Sequence, residues 1–182
     1  MLTPLAVAAL ALLVEQPMHP YEMYQTMLLR QEDQIVKVRP GSLYHAVSRL
    51  EKNGLAAATG IDRDGNRPER TTYAITEAGR VALAERVAEI LAAPADEYPE
   101  FPLGLSEASN LSGARTVELL GIRLEHLRTQ VADLEQGRAR VVAKGVAEKY
   151  WIDIDYRREL LQAQIRWIER LSDRITAGDI PW

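Results

Sequence analysis

Val117, Leu120, Leu124, Leu127, Val131 and Leu134 recur at alternating spacings of three and four residues. Only a long α-helix places all six on one stripe, and the spacing is that of the a and d positions of a coiled coil. Such a helix needs a second helix to cover its stripe. Arg138 interrupts the series, Val141 resumes it, and Gly145 marks a break. The last segment follows the same rule, with Ile154, Leu161, Ile165 and Ile168 on one stripe and Leu160, Trp167 and Leu171 on a second. Two adjoining stripes exceed what one partner helix covers, so the sequence predicts a homodimer. Its expected contacts are the six-residue seam together with Leu161, Ile165 and Ile168. Charged residues in place of Leu124 and Leu127 are then expected to give monomers.

The first half is punctuated differently. Leu2 to Val14 is apolar, but it falls short of the ~20 residues that span a bilayer and has no basic residue before Arg30. It reads as a buried first helix, capped by Thr3 and opened by Pro4, with no membrane role and a cytoplasmic location. Pro17 ends it, and His19-Pro20 opens a second helix to about Gln31. After Pro40-Gly41, a third helix is expected from Ser42 to Lys52, with Leu43, Val47 and Leu50 inward and Asn53-Gly54 as its stop. Leu55 to Thr59 and Thr71 to Ile75 read as two strands around a polar turn, Asp62 to Pro68. Thr76 caps a fourth helix running to about Ala92. Ala93 to Leu103 holds Pro94, Pro99 and Pro102 among acidic residues and reads as a semi-rigid linker. The expected division is a winged helix-turn-helix domain over 1–92, a linker over 93–110 and a helical domain over 111–182. The fold class is mainly α.

In a winged helix the third helix enters the major groove. With Leu43, Val47 and Leu50 inward, Ser42, Tyr44, His45, Ser48 and Arg49 face outward or flank it, and Arg39 precedes it. Ser42 and Tyr44 near the helix start suit phosphate, and the tyrosine ring also suits a thymine methyl. The wing offers Arg63, Asn66, Arg67 and Arg70 to phosphates or the minor groove. From Ile35 to Ile75 there are seven basic and four acidic residues, an excess of +3 in a chain of net charge −4. That local excess fits a duplex DNA partner but is modest.

Other chemistries are poorly supplied. There is no cysteine, and the three histidines lie far apart, so no metal site or cofactor is expected. No phosphate loop or nucleophile elbow is present, which argues against an enzyme. Trp151, Tyr156 and Trp167, with Tyr150, Tyr98 and Phe101, read either as core and interface anchors or as the lining of an aromatic effector pocket between protomers. A winged helix that acts through protein contacts without specific DNA binding is the alternative to a DNA-binding regulator.

Three stretches carry a family resemblance: His19-Pro-Tyr-Glu-Met23, Pro40-Gly-Ser-Leu-Tyr-His-Ala-Val-Ser-Arg-Leu-Glu-Lys-Asn-Gly-Leu55, and Arg70-Thr-Thr-Tyr-Ala-Ile-Thr-Glu-Ala-Gly-Arg80. With them the chain resembles the PadR-type transcriptional regulators. Leu161-Gln-Ala-Gln-Ile-Arg-Trp-Ile-Glu-Arg-Leu171 extends the likeness, less specifically, to the longer members. The resemblance implies a dimeric repressor, occasionally an activator, on an inverted repeat, with a C-terminal dimerisation region. It implies DNA contacts at Tyr44 and Ser42 and a phosphate contact at Tyr21. Pro20 stands where many members have Gly and removes a backbone N–H donor. Members answer to varied small molecules, so the resemblance leaves the effector open.

Overall fold

The computed structural model describes residues 1–62 and 70–182. The described residues form two compact units, Met1–Glu97 and Tyr98–Trp182.

The first unit begins with α1 (Pro4–Glu15), whose N-terminus is capped by the Thr3 hydroxyl accepting from the Ala6 N–H. Its Ala9, Leu10, Leu12 and Leu13 are fully or almost fully buried, which is what an unbroken apolar run requires. Helix α2 (Pro20–Leu29) and helix α3 (Pro40–Lys52) follow, joined by a short 3-10 turn at Glu32–Gln34. Helix α3 starts two residues earlier than the sequence predicts, because Pro40 takes the first helical position, where its missing N–H costs nothing. Leu43, Val47 and Leu50 point into the core against Met23, Met27 and the α1 leucines. Gly54 ends the helix in the left-handed region (φ 71°), and the Leu55 N–H returns to the Leu50 carbonyl at 2.9 Å.

Strands β1 (Ala56–Asp62) and β2 (Arg70–Ile75) pair antiparallel, with Ala56 opposite Ile75. The register shifts between Ala58 and Gly60, leaving Thr59 as the extra residue of a bulge. Met18 adds a third, one-residue strand by exchanging both backbone hydrogen bonds with Tyr73, at 2.9 and 3.0 Å. A single residue carries no alternation, so this edge is invisible to pattern reading. Helix α4 (Glu77–Ala92) closes the unit. The Thr76 hydroxyl accepts from the Gly79 N–H (3.0 Å) and donates to the Gly54 carbonyl (2.7 Å). Gly79 is required by space: a Cβ there would lie 2.1 Å from the Leu55 carbonyl oxygen.

In the second unit, α5 (Glu100–Ser106) occupies part of the segment expected to be an irregular linker. The prolines mislead because Pro99 is the N-cap and Pro102 lies in the first turn, where proline is tolerated. Helix α6 (Gly113–Ala143) and helix α7 (Ile152–Ala177) form a hairpin, with Gly145 (φ 68°) in the turn between them. Leu120, Leu124, Leu127 and Ile168 make its core, and Phe101, Leu105, Leu161, Ile165 and Leu171 pack on them. The Arg123 guanidinium stacks 3.7 Å from the Phe101 ring centroid. The Trp182 indole N–H donates to the Leu111 carbonyl at 2.7 Å. No helix among the described residues is long and apolar enough to cross a membrane.

Candidate nucleic-acid interface

Helix α3 turns one apolar face inward, and the remainder is available to a partner. Ser42, Tyr44, His45, Ser48 and Arg49 are all exposed, and Tyr44, at 44 %, is the exposed large hydrophobic side chain of the helix. Arg39 is the N-cap residue of α3, in extended conformation, and makes no side-chain capping bond. Among the described residues no side-chain cap closes the first turn of α3, and an anion can take that place. Arg49 and Lys52 occupy the last turn, where they also complement the helix dipole.

The start of α2 stands beside this face. The His19 Nδ1 accepts from the Tyr21 N–H (3.1 Å), and the Glu22 carboxylate accepts from the His19 N–H (3.0 Å), a reciprocal capping box. The His19 ring meets the Tyr44 ring edge to face, 5.8 Å between centroids. Tyr21 itself is half exposed. Its backbone N–H is already committed to the His19 ring, and its phenol is left as the polar group that can meet a partner.

A cleft of about 330 Å³ opens between these elements, lined by His19, Tyr44, His45, Ser48, Thr71 and Tyr73 among others. The Tyr73 hydroxyl donates to the Glu51 carboxylate at 3.3 Å. Burial first, then the adjacent Glu51 charge and that hydrogen bond, pushes the Tyr73 phenol above its ordinary value, so it stays protonated and donates. Sequence reasoning missed His19 and Tyr73 as neighbours of the interface. Histidine is outside the usual N-cap set, and Tyr73 enters through the one-residue bridge to Met18. The Arg63, Asn66 and Arg67 of the expected wing lie outside the described residues. Arg70 is placed by its backbone as the first residue of β2.

The second unit redistributes the other expected sites. Leu120, Leu124, Leu127 and Leu134 are buried within a single chain, Ile168 is fully buried, and Val117, Val131, Leu161 and Ile165 are half-buried. The seam read as a contact between protomers is thus consumed in large part by the hairpin's own pairing of α6 with α7. A charged residue at Leu124 or Leu127 would disrupt that hairpin before it reached any interface. The reason is geometric, since the connection through Gly145 returns the chain's own α7 onto the stripe. The aromatic trio does not converge in one chain either. Trp151 is buried, its indole N–H donating to the Val146 carbonyl (3.1 Å) and Arg138 lying 5.1 Å over its ring. Tyr156 and Trp167 are exposed on α7. Eleven residues of helix hold those two roughly 16 Å apart. Among the described residues no cluster of histidine and acidic side chains is arranged to hold a metal.

Three helices, a hairpin and a third edge residue beside a presented helix define a winged-helix DNA-binding fold, followed here by a helical region. The sequence profile of the family described as "Transcriptional regulator PadR-like family" matches residues 9–85. Residues 9–85 are therefore a PadR-like domain, and the fold is that of the PadR-family transcriptional regulators. No curated protein matches the chain in sequence. Among solved structures, the chain is similar to Bacillus subtilis PadR in complex with operator DNA, with TM-score 0.80 and 18 % identity over 94 % of this chain and 97 % of that one. It is similar to the same Bacillus protein in complex with p-coumaric acid, with TM-score 0.78 and 18 % identity over 94 % and 98 %. The Vibrio cholerae virulence activator AphA matches with TM-score 0.73 and 21 % identity over 95 % and 98 %.

Proposed function

We propose that this chain is a sequence-specific DNA-binding transcriptional regulator without enzymatic activity. It acts in the cytoplasm as a homodimeric repressor on an inverted-repeat operator, and a small-molecule effector releases it. The observation that carries the reading is the exposed face of α3, where Ser42, Tyr44, His45, Ser48 and Arg49 stand outward around an uncapped N-terminus. A helix so presented fits the major groove, and its free N–H groups fit a phosphate. Arg39 and the phenol of Tyr21 flank it, and Arg63, Asn66, Arg67 and Arg70 supply the wing contacts. The operator and p-coumaric acid complexes of the Bacillus protein support a DNA partner and an effector for a chain of this fold. The dimer contacts assigned here are the exposed apolar side chains of the second unit, among them Tyr156, Leu160 and Trp167. They leave the buried seam to the hairpin.

The test is fluorescence anisotropy of the protein on the DNA upstream of its own coding sequence, against scrambled DNA, across a salt series. Phosphate contacts give a logarithmic slope of about −0.9 per phosphate neutralised. Tight, sequence-dependent and salt-steep binding is expected. A second reading, action through protein contacts, draws on the small +3 excess and on the open apolar groove of about 440 Å³ lined by Val14, Leu83, Val87 and Leu91. Equal, weak binding to both DNAs at low salt would favour it.

A further inference from the structure

The geometry points to His19 as the residue that positions Tyr44 for DNA, so that the recognition ring is set from α2. The inference rests on the reading of α3 as the DNA-contacting helix and adds a residue that makes no direct contact itself.

Three constraints fix His19 before Tyr44 is considered. The preceding residue, Met18, is locked by its two hydrogen bonds to Tyr73 on β2. The His19 backbone N–H is held by Glu22, and its Nδ1 accepts from the Tyr21 N–H. A ring nitrogen that accepts an N–H carries no proton, so the neutral ring holds its proton on Nε2. The ring is thereby set in both tautomer and direction, and it meets Tyr44 with the two planes 74° apart.

Tyr44, by contrast, stands on the open side of α3 and is 44 % exposed. The cleft it shares with His19, Val47 and Tyr73 bounds one side of the ring, and His19 is the aromatic edge against it. Without the His19 edge its ring would sample several rotamers, of which one suits the groove. Apparent affinity falls as the fraction of the competent state falls. An aromatic edge contact is worth about 0.5–1.5 kcal/mol. At 1.4 kcal/mol per tenfold, this bounds the loss at about 2- to 12-fold in Kd.

The experiment separates the ring from the cap. His19→Asn keeps an oxygen to accept the Tyr21 N–H and removes the ring, and His19→Ser does the same with a smaller group. Each is combined with Tyr44→Ala, and all proteins are titrated by anisotropy against the upstream duplex and melted thermally. The expected result is a 2- to 12-fold weaker Kd for either His19 variant, with cooperative melting kept and the melting temperature lowered only by the loss of that one ring contact. In the Tyr44→Ala background the same His19 change should cost nothing further, since the residue it positions is gone. An equal loss in both backgrounds, or no loss in the native background, overturns the inference while leaving the DNA reading intact. If Tyr44→Ala alone binds as tightly as the native protein, the reading of α3 fails and the inference with it.

Discussion

Gly79 offers a quantitative test of how α4 is seated. A methyl group added there would lie 2.1 Å from the Leu55 carbonyl oxygen and 2.8 Å from Cγ1 of Ile75. The oxygen is backbone and cannot swing away like a side-chain tip. Relief of roughly an ångström must come from moving α4 or the start of β1. Overpacking of this kind costs about 1–3 kcal/mol. The displaced carbonyl also accepts the Thr76 N–H at 3.1 Å, a hydrogen bond worth about 1 kcal/mol net. The better helix propensity of alanine returns up to about 1 kcal/mol. The expected net destabilisation is about 2 kcal/mol, a fall of ~8–16 °C in the melting temperature of a unit this size. Gly41 is the control in the same unit, since nothing lies within 4 Å of its added methyl. Gly41→Ala should hold stability or raise it by up to about 1 kcal/mol. Scanning calorimetry of the full chain, with hydrogen exchange at α1 and α3 amides, reads both variants. A Gly79→Ala protein that melts at or above the native temperature would refute the close approach of α4 to Leu55.

Further outcomes are expected. Leu124→Lys should cost well over the ~2–5 kcal/mol of a buried leucine truncation, and circular dichroism should show lost helix along with any lost dimer. Trp167→Glu should leave helicity intact and shift sedimentation towards monomer; full helicity with an unchanged dimer would move the interface elsewhere. Tyr44→Ala should weaken specific binding to the upstream duplex by more than either His19 variant does, with a residual Kd still measurable, and should cost no more stability than its one ring contact with His19, about 0.5–1.5 kcal/mol. Arg30, first by its hydrogen bonds and then by its charge, holds the Glu15 carboxyl below the ordinary glutamate value. A depressed folded value means that the stabilisation is present above about pH 5 and is lost as the pH falls through the folded value. Both side chains are nearly half exposed, so the difference between native and Glu15→Gln is expected at no more than about 1 kcal/mol near neutral pH and should vanish in acid unfolding titrations.

The legible parts of this fold are those written in short-range chemistry. Thr3-Pro4, His19-Pro20 and Thr76 each mark a helix start where one stands, and Leu43, Val47 and Leu50 give the inward face of α3 from spacing alone. The illegible parts depend on what meets across the chain. The heptad spacing of Leu120, Leu124 and Leu127 requires a covering helix but does not say whose. The hairpin turn around Gly145 makes it the chain's own α7. Pro99 and Pro102 look like linker residues until Phe101 and Leu105 are seen against α6 and α7. His19 was legible as a helix opener, and its ring contact with Tyr44, twenty-five residues away, was not.

A single hydroxyl joins three places in the first unit. Thr76 binds the carbonyl of Gly54, just past the end of α3, and the N–H of Gly79, in the first turn of α4. With the space at Gly79 already closed by the Leu55 carbonyl and Ile75, the first turn of α4 has no room to move closer to them. The end of α3 and the first turn of α4 are therefore tied to one side chain. Loss of the side chain at position 76 would loosen the end of α3 and the start of α4 together, at one point of the chain.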